Sequence, residues 1–223
     1  IYYFTIFGIF FNLFGALCAC RITNSKSYSS FNLSGNSNYF STDKAVENMK
    51  TLIVSSTFPP ETVTSAKTSA DIVNNLHDLG NDVVVICPFP NRNPDFNCKQ
   101  YIHGSVEIQR VFSIRSKISI LSKIFENVSF GVVVFFKIIF SKRKDVAYIN
   151  SWPIVSTYLI SRALNWKKTP FIYSVQDLYP KTLLIKKQIS TNGILHKALK
   201  WIELQVCDSA CKIIVISPDF ERY

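Results

Sequence analysis

Residues 49–61 read Met-Lys-Thr-Leu-Ile-Val-Ser-Ser-Thr-Phe-Pro-Pro-Glu, and the run Thr51–Ser56 within them decides the fold class. A short apolar run bounded by turn signals is what a strand buried on both faces of a parallel sheet looks like. The period then changes. Ala66, Ala70, Val73, Leu76 and Leu79 recur every three or four residues and Gly80 follows, which predicts an amphipathic helix with a glycine stop. Val83–Cys87 reads as the second strand, Val106–Val111 as the third, Val146–Asn150 as the fourth, and Phe171–Val175 and Ile213–Ile216 complete the set. Helical spacing returns at Ile154–Leu164 and Ile194–Val206. Strand and helix alternating in this way predict an open, doubly wound α/β sheet with parallel strands. Such sheets bind ligands beyond the carboxyl ends of their strands, so the loops after Ser56, Cys87, Asn150 and Val175 are where function is expected.

Upstream of Met49 the chain reads differently. Residues 1–20 carry no charge and are long enough to span a bilayer as a helix, so they read as a membrane anchor or signal segment. The only methionine of the chain is Met49, at the start of the first strand, so the alternative is that residues 1–48 are upstream sequence translated in error. Residues 21–48, rich in Ser and Asn, have the composition of a linker that cannot pack a core.

Over the whole 223 residues, 48% are hydrophobic and 18% charged, which supplies a core and excludes an intrinsically disordered chain. Lys plus Arg number 25 against 15 Asp plus Glu, a formal +10, which favours polyanionic partners: phosphates, nucleic acid or an acidic membrane surface. Six cysteines without a CxxC or regular spacing fit neither a disulfide scaffold nor a zinc module, and are expected to be mostly buried thiols in a reducing compartment. Spacings such as HExxH are missing too, so no metal site is expected. There is no GxSxG elbow and no cysteine set in a helix-opening loop near a base, so hydrolase chemistry has no support.

Three loops carry prolines: Thr57–Glu61, residues 88–95 (PFPNRNPD) and residues 176–180 (QDLYP). Proline fixes φ and removes an amide donor, so these loops are expected to pre-shape a pocket at one sheet edge. FPPE after the first strand, LHDLGNDVVVICPFPN, the DLYP element, and a late helix passing Glu203 into KIIVISPDF together resemble family 4 glycosyltransferases. The likeness extends from Met49 to Tyr223 and is nearest to bacterial enzymes that assemble capsular, exopolysaccharide or O-antigen repeat units. It implies a GT-B fold of two Rossmann-like domains, with residues 49–223 as the N-terminal, acceptor-side domain and the donor-binding domain absent. It further implies a nucleotide-sugar donor, which is a substrate rather than a cofactor, and a lipid-linked or saccharide acceptor. The expected location is cytoplasmic, at the inner face of the cytoplasmic membrane.

On that basis Glu61, Thr62, Thr64, Ser65, Asp177 and Tyr179 are the substrate-binding candidates, and no residue is assigned to catalysis. The chain departs from the family pattern at two points. No glycine stands between Ser56 and Gly80, which weakens close approach of backbone amides to a phosphate, and GxGxxG is absent. Hydroxyls of Thr62, Thr64 and Ser65 are expected to cap the helix instead. Lys181 stands where relatives often have an acid. Asp177 is expected to orient an acceptor hydroxyl, its alternative being a turn former. Glu61 opens a helix, where the macrodipole favours a carboxylate whatever else it does. His77 reads as a solvated helix-end residue, His103 and His196 have no partner at a recognisable spacing, and Cys207 and Cys211 read as core.

Lys117–Lys144 is a strongly apolar, near-helical stretch closed by Lys142-Arg143-Lys144. It reads as a core helix, the alternative being a monotopic helix with its apolar face in the lipid interface and basic ends on anionic head groups. Nucleic acid is not expected as a partner, because the basic residues are scattered and no stacking platform is present. Two other readings stand beside the enzyme: a non-catalytic, membrane-anchored subunit of a split glycosyltransferase, and a sugar-nucleotide epimerase on the same fold.

Overall fold

The computed structural model describes residues 48–90, 101–113, 120–151, 153–176 and 193–215. Six strands, β1 (Lys50–Val54), β2 (Asp82–Pro88), β3 (Glu107–Val111), β4 (Val146–Asn150), β5 (Phe171–Val175) and β6 (Lys212–Val215), form one sheet in the order β3-β2-β1-β4-β5-β6. Every neighbouring pair is parallel. The helices are α1 (Thr64–Asp78), α2 (Ile120–Phe140), α3 (Ile154–Trp166) and α4 (Ile194–Ser209). This is the doubly wound, Rossmann-like sheet expected from the alternating pattern, and it matches one half of a GT-B fold.

The strands are apolar throughout because both faces are covered. Ile53, Val83, Val85 and Tyr148 join Ile72, Val73 and Leu76 of α1 in one core. Leu52, Val54, Val84, Ile86, Ile149 and Tyr173 join Phe130, Val134 and Ile138 of α2, Ile160 and Leu164 of α3 and Val206 of α4 in the other. Alternate residues of β1 therefore point into different cores, which is why its sequence shows no polar alternation.

Helix α1 ends as its glycine predicts. Gly80 takes φ +80, its amide donates to His77 O at 2.8 Å, and the Asn81 amide donates to Leu76 O at 3.2 Å. Asn81 itself is buried and ties the helix end to the first strand: its Nδ2 donates to Leu76 O at 2.9 Å and its Oδ1 accepts from the Met49 amide at 3.2 Å.

Helix α2 departs from a plain core helix. Phe130, Val134 and Ile138 are buried, but Phe125, Val132, Val133, Phe136 and Phe140 are exposed, with Phe140 at 83%. Its apolar residues thus cover two faces, and only one meets the sheet and α3. Against α3 the approach is close: a Cβ placed on Gly131 would lie 2.7 Å from Ser156 Cα. No helix among the described residues is long and apolar enough to cross a membrane. The expected anchor at residues 1–20 lies outside the described residues.

The cysteines differ from the buried thiols expected. Cys87 is buried, Cys207 is a half-buried free thiol, and Cys211 is exposed and disulfide-bonded.

Candidate functional site

The chain leaves β1 toward β2 on one side and leaves β4 toward β5 on the other, so a crevice opens between the carboxyl ends of these two neighbouring strands. Helix α1 begins on one flank of it and α3 on the other. Neither start is capped by a side chain. The N-cap of α1 is Val63 (φ −85, ψ 149) and that of α3 is Pro153 (φ −79, ψ 140), neither of which has a polar side chain to offer. The expected capping by Thr62, Thr64 and Ser65 is therefore corrected. Helical geometry begins at Thr64, one residue after a valine, which puts the hydroxyls of Thr64 and Ser65 inside the helix rather than before it.

The floor of the crevice is a buried hydroxyl and amide cluster. Ser55, the residue after β1, and Asn150, the last of β4, are 1% and 6% exposed. Asn150 Nδ2 donates to Ser55 Oγ at 3.0 Å. Ser55 Oγ lies 2.7 Å from Thr57 O and 3.0 Å from Ser69 Oγ, and Ser69 Oγ donates to Ser65 O at 2.9 Å. Thr57 Oγ1 and Ser65 Oγ are 2.9 Å apart. The cluster thus joins β1, β4 and the first two turns of α1. On the β5 side the Ser151 hydroxyl accepts from the Gln176 amide at 3.0 Å, and Thr157 Oγ1 lies 3.0 Å from Asn150 O.

The proline loop is held from β3. Pro59–Pro60 is a cis bond, and Phe58 before it is buried. The Arg110 guanidinium sits 5.8 Å from the centre of the Phe58 ring, donates from Nη1 to Pro88 O at 3.1 Å and from Nη2 to Pro59 O. Two donors in a planar fork let one side chain clamp two loops at once.

Of the sequence candidates, Ser65 enters the cluster, half-buried. Glu61 is half-buried on the clamped loop, its amide donating to Phe58 O at 3.2 Å. Thr62 and Thr64 are exposed beside it. Asp177 and Tyr179 lie outside the described residues, as does Lys181. Three further residues were missed by sequence reasoning: Ser55, Asn150 and Arg110. For Asn150 a signal existed, a polar residue closing an otherwise apolar strand, whereas nothing marks Arg110 in Val106–Val111 as a reach across two strands.

His103, expected to be without a partner, pairs with Asp78 of α1, Nδ1 to Oδ2 at 3.1 Å, and both side chains are exposed. His77 is half-buried rather than solvated, its ring against Gly104. Among the described residues no group of three or more His, Cys, Asp or Glu stands where it could hold a metal ion.

Burial shifts the ionisation of several groups. Burial pushes Tyr148 up to about 12, against a smaller opposing effect of its hydrogen bond with Ser174. Tyr173 is raised by burial, then by Cys207 and Glu203. Burial lifts Glu203 to about 7, with Lys200 pulling the other way, and lifts Cys207 to about 11, helped by Glu203 and Asp208. Tyr148 belongs to the core on the α1 face of the sheet, and the other three to the packing of α4 on β5.

A six-stranded parallel sheet with a polar cluster at its switch point defines an α/β domain of Rossmann type. Within that class the chain belongs to Glycosyltransferase Family 4, whose family model matches residues 66–223. No curated protein sequence is significantly similar to it. Among solved structures, the C-terminal domain of a Pyrococcus furiosus hydrogenase is similar over 57% of this chain and 92% of that one, with 11% identity and a TM-score of 0.41, a likeness too slight to bear on function.

Proposed function

We propose that this chain is the acceptor-side domain of a glycosyltransferase that moves a sugar from a nucleotide sugar to a lipid-linked saccharide in the synthesis of cell-surface polysaccharide, such as capsule, exopolysaccharide or O-antigen. The observation that carries this reading is the family match over residues 66–223 on a sheet whose switch-point crevice is lined by hydroxyl and amide groups. Saccharides are recognised by such groups, which donate and accept in turn. In the reaction this domain would hold an acceptor hydroxyl against the donor's anomeric carbon, converting an encounter in solution into a positioned one, while a donor-binding domain stabilises the departing diphosphate. Glu61 and Ser65 are the residues assigned to the acceptor in this reading, which the clamp from Arg110 on the proline loop that carries Glu61 supports.

The lipid linkage is supported by the surface of α2. Phe125, Val132, Val133, Phe136 and Phe140 form an exposed apolar stripe, and Phe136 and Phe140 stack with centroids 6.3 Å apart. Exposed Lys142 and Arg143 follow directly, Trp166 is 73% exposed at the end of α3, and Lys168 lies two residues beyond it. From Val128 to Lys144 there is no acidic residue. An apolar face flanked by cations suits an anionic bilayer at the cytoplasmic face of the membrane.

The test is transfer. The full reading frame that encodes this chain, purified, is given labelled nucleotide sugars and a lipid extract. Label passing into the organic phase is expected; hydrolysis of the nucleotide sugar without transfer, or no turnover with any donor, would contradict the proposal. Sedimentation with vesicles of anionic but not zwitterionic lipid, abolished when Phe136 and Phe140 become Ser, is expected for the membrane contact.

A further inference from the structure

Donor and acceptor bookkeeping in the crevice floor leaves one atom over. The Ser55 hydroxyl has a single proton, and the carbonyl of Thr57, at 2.7 Å, is its nearest acceptor. Ser69 directs its proton to Ser65 O at 2.9 Å. Ser55 Oγ is thereby an acceptor toward Asn150, which fixes the amide of Asn150 with Nδ2 toward Ser55 and Oδ1 away from it. That oxygen is buried and has no hydrogen-bond partner among the described residues. Asn150 is 6% exposed, so bulk water does not satisfy it. A buried carbonyl oxygen without a donor is costly, and it sits at the end of β4 where the chain paths part, beside the uncapped start of α1.

We infer that Asn150 Oδ1 is the specificity determinant of the acceptor site: it receives the O–H of one sugar hydroxyl and thereby selects a donor-bearing ligand over a phosphate ester. This rests on the glycosyltransferase reading above and adds to it the residue and the ligand chemistry. A phosphate ester at neutral pH brings acceptors and little O–H, so it leaves the amide oxygen unpaired; a hydroxyl satisfies it. The amides of Thr64 and Ser65, which no side chain caps, supply the complementary donors to an oxygen of the same ligand. A small opening of the crevice is needed for the hydroxyl to reach the buried oxygen.

The experiment is nitrogen-edited proton NMR of the full chain titrated with methyl glycosides of glucose, galactose, mannose and N-acetylglucosamine, with their monodeoxy analogues, and separately with methyl phosphate. The Asn150 side-chain amide pair is identified by its loss in Asn150→Leu. One glycoside is expected to shift that pair, and its affinity is expected to fall about tenfold or more both in Asn150→Leu and on removal of one hydroxyl, with no further loss when the two changes are combined. Asn150→Asp keeps an acceptor and is expected to retain the glycoside. Thermal melting of each variant separates loss of binding from loss of fold. Glycoside binding that ignores Asn150→Leu, or a shift of the pair by methyl phosphate alone, would overturn the inference and leave the glycosyltransferase reading standing; failure of every glycoside to bind overturns both.

Discussion

Gly131→Ala is a substitution for which two effects of known size oppose each other. In a helix interior, alanine is favoured over glycine by about 1 kcal/mol, so on propensity alone the variant is more stable. Packing says otherwise. The new methyl would lie 2.7 Å from Ser156 Cα, 3.1 Å from its Cβ and 3.0 Å from a Leu159 methyl. The nearest of these atoms is backbone, which cannot rotate away, so α3 must back off α2 along their shared face. Overpacking of this kind costs about 1–3 kcal/mol, and a backbone clash belongs at the upper part of that range. The net expectation is a loss of about 1 kcal/mol, or roughly 2–4 °C in Tm for a domain of this size. Urea denaturation followed by circular dichroism measures it. A variant more stable than the parent by about 1 kcal/mol would refute the close α2–α3 contact and, with it, the helical layer described above.

Three other outcomes follow from the same reasoning. Arg110→Ala removes both carbonyl contacts and the cover over Phe58, with an expected loss of about 2 kcal/mol in denaturant titration, and Arg110→Lys recovers only part because one ammonium cannot span both loops. Asn81→Ala strands the buried Met49 amide, while Leu76 O keeps the backbone amide of residue 81, and is expected to cost about 1–3 kcal/mol by the same method. Glu203 titrates near 7 when folded and near the ordinary carboxylate value when unfolded, so the folded state holds the proton more tightly. Stability is therefore expected to fall as pH rises from about 4.5 to about 7 and then level off. Because the side chain keeps some solvent contact, the drop is on the order of 1 kcal/mol. Glu203→Gln should flatten that slope, as read by denaturation at pH 5 and pH 8.

Much of the fold was legible because both-face burial leaves a simple trace. Val146–Asn150 and Phe171–Val175 stand in the sequence as short, mostly apolar runs and are strands over the same residues. Gly80 marked the end of α1 because its positive φ excludes most other residues. The two faces of α2 were not legible, since periodicity shows which residues share a face but not which face finds a partner. The candidate site was legible in place but not in detail. Strand ends directed attention to the loops around the cluster, yet it joins residues such as Ser55 and Asn150, 95 positions apart, through hydrogen bonds that no local pattern encodes. Capping failed for a local reason: Val63 rather than a hydroxyl residue occupies the N-cap, a one-residue shift that propensity alone does not resolve. His103 escaped notice because Asp78, its partner, lies on a different element.

The central claim is that the crevice between β1 and β4 holds a saccharide. The most direct measurement is a crystal structure of the full chain soaked with the glycoside that binds best in solution. A sugar lying between the start of α1 and the end of β4, with one hydroxyl within hydrogen-bond distance of Asn150 Oδ1, is the result expected. A sugar bound elsewhere while the crevice stays closed around an unpaired Asn150 would contradict it.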